Sequence, residues 1–338
     1  MEHTDLRVGI IGTGWIAEKA AYTLQRQEGL TCLAVGSRTQ ERADSFAAEW
    51  GIARAYGSYE QLIADPDVDL VYVGTPHSHH YAVTRQAILQ GKACLVEKAF
   101  MANYNESLAI VNLARRRKVF LAEAIWTRYQ PIVTTIRQLI ADGRIGSPRL
   151  YTASIGYSMG NKPRIMRPDL CGGALLDLGV YAINFVRMFS EADILQVESQ
   201  CLKSDTGMDL VNTASFRLSN GALANIQSSA CCVNDNQGTI CGTEGYLIVD
   251  NINNPQTVKV YARDRVFVEE IKVPQQITGY EYQFLACREA LQKGWTESPL
   301  MPLNETLYIM RLMDDLRHQW GVHYPMDDET IEDEEALE

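Results

Sequence analysis

The sequence lacks the features that mark several classes of protein. It has no run of eighteen consecutive apolar residues, which predicts no membrane-spanning helix and no membrane partner. No secretory signal pattern is visible. No long basic stripe is present, which argues against nucleic acid as the main partner. The eight cysteines include no C-x-x-C pair and stand mostly in apolar segments, which predicts buried, reduced thiols in a cytoplasmic protein.

Negative charge is concentrated at one end of the chain. The chain has 338 residues and a net charge of −11, and residues 327–338 include eight acidic and no basic side chains. Removing these eight charges leaves −3 for the rest. We therefore expect an acidic, solvated tail behind a nearly neutral body, whose length predicts two domains.

The first apolar run, residues 8–11, ends in Gly12-x-Gly14-x-x-Ala17 and a helical pattern. This order predicts a strand, a tight turn and a helix. Gly12 can adopt backbone angles that other residues avoid, and Gly14 allows the main chain to approach a ligand. The amide groups at the helix N-terminus would then hold a pyrophosphate. Any glycine-rich turn after a strand can match this motif. The interpretation as a dinucleotide-binding turn therefore depends on the strand and helix patterns that flank it. The predicted dinucleotide contacts here are Gly12, Gly14, Trp15 and Ile16.

A second apolar strand, residues 30–35, leads into Ser37 and Arg38. In dinucleotide-binding folds a carboxylate at this place binds the ribose 2′-hydroxyl, whereas an arginine accommodates a 2′-phosphate. No carboxylate stands at the strand end, so Ser37 and Arg38 favour NADP over NAD. The alternative is that Arg38 is a surface residue that stacks on adenine.

Strand and helix patterns alternate as far as residue 124, which is typical of a doubly wound parallel (Rossmann) sheet in an α/β protein. Beyond that point strands dominate and short turns join them, which predicts a C-terminal α+β domain with a large, mostly antiparallel open sheet. We predict a dinucleotide-binding domain over residues 1–124, a substrate-binding and dimerisation domain over 125–326, and the acidic tail over 327–338.

Parallel strands of such a sheet end at one edge, so the segments around Thr75 and Lys98 should lie beside the glycine turn. Lys98 follows Glu97 and could stabilise negative charge on a substrate oxygen, or it could only pair with Glu97. Asp177 and Tyr181 stand four residues apart on a predicted helix and share a face. A phenol has an unperturbed pKa of about 10, and a nearby ammonium favours its ionised form. The alternative is that both helix residues are structural.

The histidines of the segment 75–80 could suggest a metal, but no cysteine or carboxylate stands at metal-ligand spacing, and we predict no metal site. Pro76 and Ser78 are typical of a helix start, which would bring His77 and His80 near the cofactor. The predicted cofactor contacts therefore include Thr75, Pro76, His77, His80, Glu97 and Lys98.

Together these motifs resemble the glucose–fructose oxidoreductase / inositol dehydrogenase / MocA-like (GFO/IDH/MocA) family over nearly the whole chain. Besides the glycine turn, Thr75-Pro76 with His80 resembles its T-P-N-x-x-H segment, Glu97-Lys98 its E-K-P signature, and residues 177–184 its D-x-G-x-H-x-x-D motif. The segments 122–131, 173–181 and 297–302 most resemble the dimeric dihydrodiol dehydrogenase / NADP-dependent D-xylose dehydrogenase branch. That branch has tyrosine where most members have histidine, as at Tyr181.

The resemblance implies hydride transfer between NADP and a hydroxyl-bearing carbon of a small sugar, polyol or cyclic diol. It also implies that Lys98, Asp177 and Tyr181 are catalytic, and that the second domain's sheet forms a homodimer or higher homo-oligomer. We expect the Lys98 ammonium and the Tyr181 phenol to converge on one substrate atom.

Trp126, Arg128 and Arg164 flank the predicted cleft in sequence and are the predicted substrate-binding residues, although each could be structural. Two departures from the family pattern stand out. Ala99 replaces the proline of E-K-P, and alanine adopts a cis peptide bond only at a considerable cost. His77 replaces the usual asparagine. The Ala99 departure leaves open a non-catalytic NADP-binding sensor or regulatory protein, although the intact Lys98, Asp177 and Tyr181 argue against that alternative.

Overall fold

The computed structural model describes residues 5–160 and 162–331, so most of the predicted acidic tail lies outside the described residues. The chain divides into two compact units. The first contains the described residues up to Trp126, the segment Ile277–Arg311 and the described residues from Met326. The second contains Thr127–Gln276 and Leu312–Pro325.

The first unit is built on a six-stranded parallel sheet with the strand order β3-β2-β1-β4-β5-β6. This confirms the predicted doubly wound sheet. Its strands are β1 (Leu6–Ile11), β2 (Leu30–Gly36), β3 (Arg54–Tyr56), β4 (Leu70–Val73), β5 (Ala93–Glu97) and β6 (Leu121–Ala124). The helices between them are α1 (Trp15–Leu24), α2 (Gln40–Trp50), α3 (Tyr59–Ile63), α4 (His80–Leu89) and α5 (Tyr104–Arg117).

The apolar runs in the sequence explain these strands. Every residue of β4, β5 and β6 is buried, as expected for strands covered by helices on both faces. Side chains with an oxygen atom close to the backbone cap the N-termini of several helices. Thr39, Ser58 and Asn103 each accept a hydrogen bond from an amide in the first turn of α2, α3 and α5.

The second unit contains an eight-stranded sheet with the order β14-β13-β12-β11-β7-β10-β9-β8. Neighbouring strands run antiparallel except β7 and β10, so the predicted mostly antiparallel sheet is confirmed. One face of the sheet is buried, and α7 packs on it. The strands are β7 (Pro148–Gly156), β8 (Ile194–Lys203), β9 (Asp209–Leu218), β10 (Leu223–Ser229), β11 (Gly238–Gly242), β12 (Gly245–Val249), β13 (Thr257–Ala262) and β14 (Phe267–Lys272). The helices are α6 (Pro131–Ala141) and α7 (Val180–Ser190).

The helix predicted to carry Asp177 and Tyr181 is interrupted near its start. Residues Leu175–Gly179 form a π-helical turn that continues directly into α7. Such turns occur often at functional sites. The stretch Pro168–Ser190, with a mean hydropathy of 1.3, is long and apolar enough to cross a membrane by composition, but 89% of its apolar window is buried inside the protein. It is therefore packed as a core helix.

Two helices complete the chain, α8 (Glu281–Gln292) and α9 (Leu303–Trp320). The α8 helix belongs to the first unit. Its Phe284 ring lies 5.3 Å from the Tyr72 ring of β4, and its Cys287 and Ala290 are buried in the same hydrophobic core. The chain thus returns to complete the core of the first unit. Part of the predicted tail is also anchored, because Asn103 Nδ2 donates to Met326 O and Asp327 Oδ1.

Candidate active site

The glycine turn between β1 and α1 has the geometry that a dinucleotide requires. Gly12 has φ +108°, and a Cβ on it would lie 2.8 Å from Gly74 O. Gly14 differs, since its φ of −94° is ordinary and no described protein atom lies within 4 Å of its Cβ position. Neither packing nor conformation requires glycine at position 14. Close approach of a ligand to the backbone explains it, so this turn fits the nicotinamide dinucleotide predicted from the sequence.

The neighbouring strand ends in a basic cluster. Ser37 is buried beside the end of β2, and its amide donates to Tyr56 O over 3.0 Å. Arg38 is exposed. Burial raises the pKa of Tyr59, and the positive charges of Arg38 and Arg42 oppose that shift, which places both guanidinium groups near this phenol. The sequence reading singled out Arg38 but not Arg42. The signal for Arg42 was a second basic side chain in the first turn of the helix that follows Arg38.

The segment after β4 is tied to the segment after β5 by two histidines. His80 is fully buried, with Nε2 2.8 Å from Thr75 O and Nδ1 3.1 Å from both Ala99 O and Phe100 O. Burial lowers its pKa to about 4, although the three backbone oxygens oppose that shift. His77 Nε2 lies 3.3 Å from Lys98 O. Both rings therefore contact the backbone around Lys98. Thr75 contributes a buried hydroxyl that has no hydrogen-bond partner among the described residues.

Lys98 is held at the end of β5 by its neighbours in the chain. Tyr72 donates to Glu97 Oε1 over 2.5 Å, and the Lys98 amide donates to Glu97 Oε2 over 3.2 Å. The Lys98 side chain is half-buried, and the peptide bond to Ala99 is cis. The carboxylate of Glu97 thus orients the backbone from which the ammonium extends. Lys98 follows β5 at the sheet edge where the glycine turn follows β1.

In the second unit, the predicted residues Asp177 and Arg164 form an ion pair. Arg164 Nη2 donates to Asp177 Oδ2 over 2.7 Å, and the Asp177 side chain is 6% exposed while that of Arg164 is 39% exposed. Asp177 lies in the π-helical turn, and Tyr181 lies in the first turn of α7 and is also buried. The structure therefore brings together two side chains that the sequence assigned separately to catalysis and to substrate binding.

A buried carboxylate holds the start of this helical segment, and the sequence reading missed it. Asp209 Oδ2 accepts from the Leu175 amide over 2.6 Å and from Asn212 Nδ2 over 2.8 Å. Ser228 Oγ in turn donates to Asn212 Oδ1. A Cβ on Gly173 would lie 2.1 Å from Asp209 Oδ1. Burial raises the pKa of Asp209 to about 6, although the Leu175 amide and Asn212 oppose the shift. The sequence offered no clear signal, because Asp209 stands in a strand that also contains Asn212, Thr213 and Ser215.

The other two predicted substrate residues are buried within their own units. Arg128 Nε donates to Asn184 Oδ1 over 2.5 Å, and Asn184 Nδ2 donates to Val180 O. Arg128 therefore braces the helix that carries Tyr181. Trp126 stacks on Tyr280 with ring centroids 4.0 Å apart and an angle of 10° between the planes. Across the described residues no group of three or more His, Cys, Asp or Glu side chains is placed to hold a metal ion.

Comparisons with known proteins match both halves of this chain. A family model described as an oxidoreductase family with an NAD-binding Rossmann fold matches residues 6–124, and one for the GFO/IDH/MocA C-terminal domain matches residues 133–248. Trans-1,2-dihydrobenzene-1,2-diol dehydrogenase from Xenopus tropicalis is 34% identical over 299 residues, covering 87% of this chain and 91% of its own. The enzyme of that name from Macaca fascicularis is 33% identical over 332 residues, covering 95% and 99%.

Solved structures share the fold across both units. Aldose-aldose oxidoreductase from Caulobacter crescentus, complexed with glycerol, has a TM-score of 0.84 at 23% identity and covers 94% of this chain and 98% of its own. A 3-ketoreductase from Actinomadura kijaniata, in complex with NADP and TDP-benzene, has a TM-score of 0.83 at 25% identity and covers 93% and 97%. With its family models matching both halves and its relatives aligned over nearly its full length, the chain is an oxidoreductase that belongs to the GFO/IDH/MocA family.

Proposed function

We propose that the protein is an NADP-dependent dehydrogenase that acts on the CH–OH group of a small sugar, polyol or cyclic diol. The observation that carries this proposal is the placement of Lys98 at the sheet edge that also bears the dinucleotide turn. The names of its relatives, a diol dehydrogenase, an aldose-aldose oxidoreductase and an NADP-bound ketoreductase, support the substrate class.

NADP is the proposed cofactor because the end of β2 offers basic and hydroxyl groups. Gly12 and Gly14 would let the backbone approach the pyrophosphate, with Trp15 and Ile16 following at the start of α1. Ser37 and Arg38 would bind the 2′-phosphate, with Arg42 close by. In the same proposal the nicotinamide end of the cofactor is lined by Thr75, Pro76, His77 and Glu97. His80 supports this lining through its contacts with the backbone.

The reaction needs a proton acceptor and a positive charge at the substrate oxygen. Tyr181 takes the hydroxyl proton in the oxidative direction, and Lys98 binds the same oxygen and favours the ionised phenol. Asp177 holds Arg164, whose partly exposed guanidinium binds another substrate hydroxyl. Arg128 and Trp126 shape the substrate site through Asn184 and Tyr280. Bound NADP supplies the hydride acceptor at its nicotinamide ring.

A second copy of this chain is the proposed partner. Register across the sheet of the second unit places one row of side chains on the face opposite α7. Leu223 and Phe267 in this row are exposed, Tyr246 and Tyr261 stack at 4.7 Å, and Phe267 lies edge-on to Tyr261. We call it the apolar row, and its members are Leu150, Leu223, Cys241, Tyr246, Tyr261 and Phe267. An exposed row of this kind is typical of an interaction surface. Phe267→Glu should shift the mass measured by light scattering toward the monomer.

A cytoplasmic location is proposed from the cysteines. All eight are free thiols, but the prediction that they are buried holds only for Cys94, Cys171 and Cys287, and Cys231 and Cys232 are exposed. Proteins that fold in oxidising compartments more often pair such residues as disulfides.

The test is a screen of sugars, polyols and diols with NADP, followed by nicotinamide absorbance. We expect turnover with at least one compound, and Lys98→Ala and Tyr181→Phe should each lower kcat by about a hundredfold or more. The exposed residues Lys293 and Tyr22 provide matched controls, since Lys293→Ala and Tyr22→Phe should leave kcat unchanged. Tight NADP binding without turnover on any compound would contradict the proposal and favour the sensor.

A further inference from the structure

We propose that Cys231 and Cys232, which we call the dithiol, form a site that binds one thiophilic atom, such as trivalent arsenic, between their two sulphurs. The Sγ atoms lie 3.8 Å apart, and both residues are exposed. Thiolates are soft ligands that prefer soft, polarisable atoms. Two of them this close together can chelate a single atom, which a solitary thiol cannot do.

The other thiols compete poorly for such a ligand. All eight cysteines lie in the described part of the chain, and the dithiol contains the two exposed ones. Burial raises the pKa of Cys32 and of Cys201 to about 12, and it also raises the pKa of Cys94, Cys241 and Cys287. Because the thiolate is the reactive form, thiophilic chemistry concentrates at the dithiol.

The backbone holds the dithiol in place at the end of β10. Ser229 Oγ accepts from the amides of Cys231 and Cys232 over 3.2 and 2.8 Å. Ser229 O accepts from the Tyr157 amide and Ala230 O from the Met159 amide, over 3.0 and 2.8 Å. These four hydrogen bonds hold the segment, so little ordering remains to be done when a ligand binds both sulphurs.

Adjacency favours a bridging atom over a disulfide. Successive Cα atoms lie about 3.8 Å apart across a trans peptide. Disulfides usually join Cα atoms about 4.4 to 6.8 Å apart, so a bond between neighbouring cysteines is strained. Inserting one atom between the sulphurs enlarges the ring. With an organic arsenoxide, two S–H bonds break, two As–S bonds form, and the arsenoxide oxygen leaves as water with no change in oxidation state.

The dithiol is separate from the proposed dimer surface. Leu223 of the apolar row begins β10, and the dithiol follows its last residue, Ser229. At about 3.3 Å per residue the two places are about 20 Å apart along the strand. The site therefore lies away from Leu223, and its ligand chemistry does not depend on the proposed oxidoreductase reaction.

The experiment uses the full chain with phenylarsine oxide as the probe and intact-mass spectrometry as the readout. We expect one equivalent to bind, to survive excess glutathione, and to leave with 2,3-dimercaptopropanol, because only a dithiol competes with two simultaneous sulphur bonds. Cys231→Ser and Cys232→Ser should each lower retention in glutathione at least tenfold. Cys201→Ser and Cys241→Ser are the matched controls and should retain the adduct.

Two results would overturn the proposal. One is an adduct that survives glutathione in a protein carrying both Cys231→Ser and Cys232→Ser, because the arsenical would then be bound elsewhere. The other is a 231–232 disulfide that forms in air and leaves no thiols for the probe. Thermal unfolding of each variant should give the midpoint of the wild-type protein, because exposed Cys→Ser changes have little effect on stability.

Discussion

Arg164 reaches 2.7 Å to the buried carboxylate of Asp177, thirteen residues further along the chain, while its own side chain stays partly exposed. A charge-assisted hydrogen bond of this kind is shorter and stronger than a neutral one. The pair therefore fixes one guanidinium beside the helix that carries Tyr181. The proposed role of Arg164 in substrate binding follows from this placement.

Arg164→Ala should lower kcat/KM by about tenfold, because a hydrogen bond to a charged group contributes about 1.5–3 kcal/mol and partial exposure of the arginine reduces that value. Arg164→Lys should have a kcat/KM between those of the unchanged protein and Arg164→Ala, since lysine keeps the charge but not the planar guanidinium group. Steady-state kinetics with the substrate found in the screen provide the measurement. Arg167→Ala, which removes an exposed pair with Asp169, is the control. Equal effects from both arginines would contradict a specific role.

The two glycines of the dinucleotide turn should respond differently to alanine. Gly12→Ala places a Cβ 2.8 Å from Gly74 O at φ +108°, so the fold should lose about 1–3 kcal/mol of stability. Gly14→Ala meets no described protein atom and should change stability by less than about 1 kcal/mol. The NADP affinity of Gly14→Ala should nevertheless fall by about tenfold or more. Thermal unfolding without cofactor and a fluorescence titration with NADP separate the two effects; unchanged affinity in Gly14→Ala would be the contrary result.

The cofactor preference should depend on the arginines near Tyr59. Arg38→Ala should weaken NADP binding by about tenfold, while NAD binding stays within about twofold, because only NADP carries the 2′-phosphate. Arg42→Ala should act in the same direction if its charge also reaches that phosphate. The measurement is the ratio of the two dissociation constants for each variant. A parallel loss of NAD binding would instead indicate stacking on adenine.

Asp209 should make stability depend on pH. Its pKa is raised from 3.8 to about 6 by burial, so the folded state holds its proton more firmly than the unfolded state. The ionised form therefore lowers stability above pH 6, and this loss is relieved as the pH falls from about 6 to 4. Asp209→Asn should remove this loss of stability. The free energy of unfolding should then rise by up to about 3 kcal/mol at pH 7.5 and stay unchanged near pH 4.

Chemical unfolding of both proteins at pH 7.5 and pH 4 measures this difference. Asparagine keeps an oxygen that can accept from the Leu175 amide, so the helix start should survive the substitution. Asp205→Asn in the exposed β8–β9 turn is the control and should show no such pH dependence. A destabilised Asp209→Asn protein at pH 7.5 would mean that the hydrogen bonds to the carboxylate outweigh its burial.

The sequence predicted the two sheets well because their signals are local. Continuous apolar runs such as Leu70–Val73 indicate strands buried on both faces, and alternating ones such as Asp209–Leu218 indicate strands buried on one. The glycine turn and Lys98 could also be placed, because each follows directly from a strand end.

What the sequence could not reveal depends on contacts between distant residues. The burial of Asp209 against the Leu175 amide joins positions 34 residues apart, and the Arg128–Asn184 bond joins positions 56 apart. Periodicity shows that α8 has an apolar face but not which sheet receives that face. The contact between Phe284 and Tyr72 is set by the tertiary structure.

The return of α8 to the first unit has a consequence for protein engineering. Phe284, Cys287 and Ala290 cover part of a core whose strands were all completed by Ala124. A fragment cut after residue 126 would leave the fully buried Tyr72 ring facing water. The nucleotide-binding half is therefore not a transplantable module by itself: a chimera that borrows it must carry the distant helix with it, or repack the surface that the helix leaves behind.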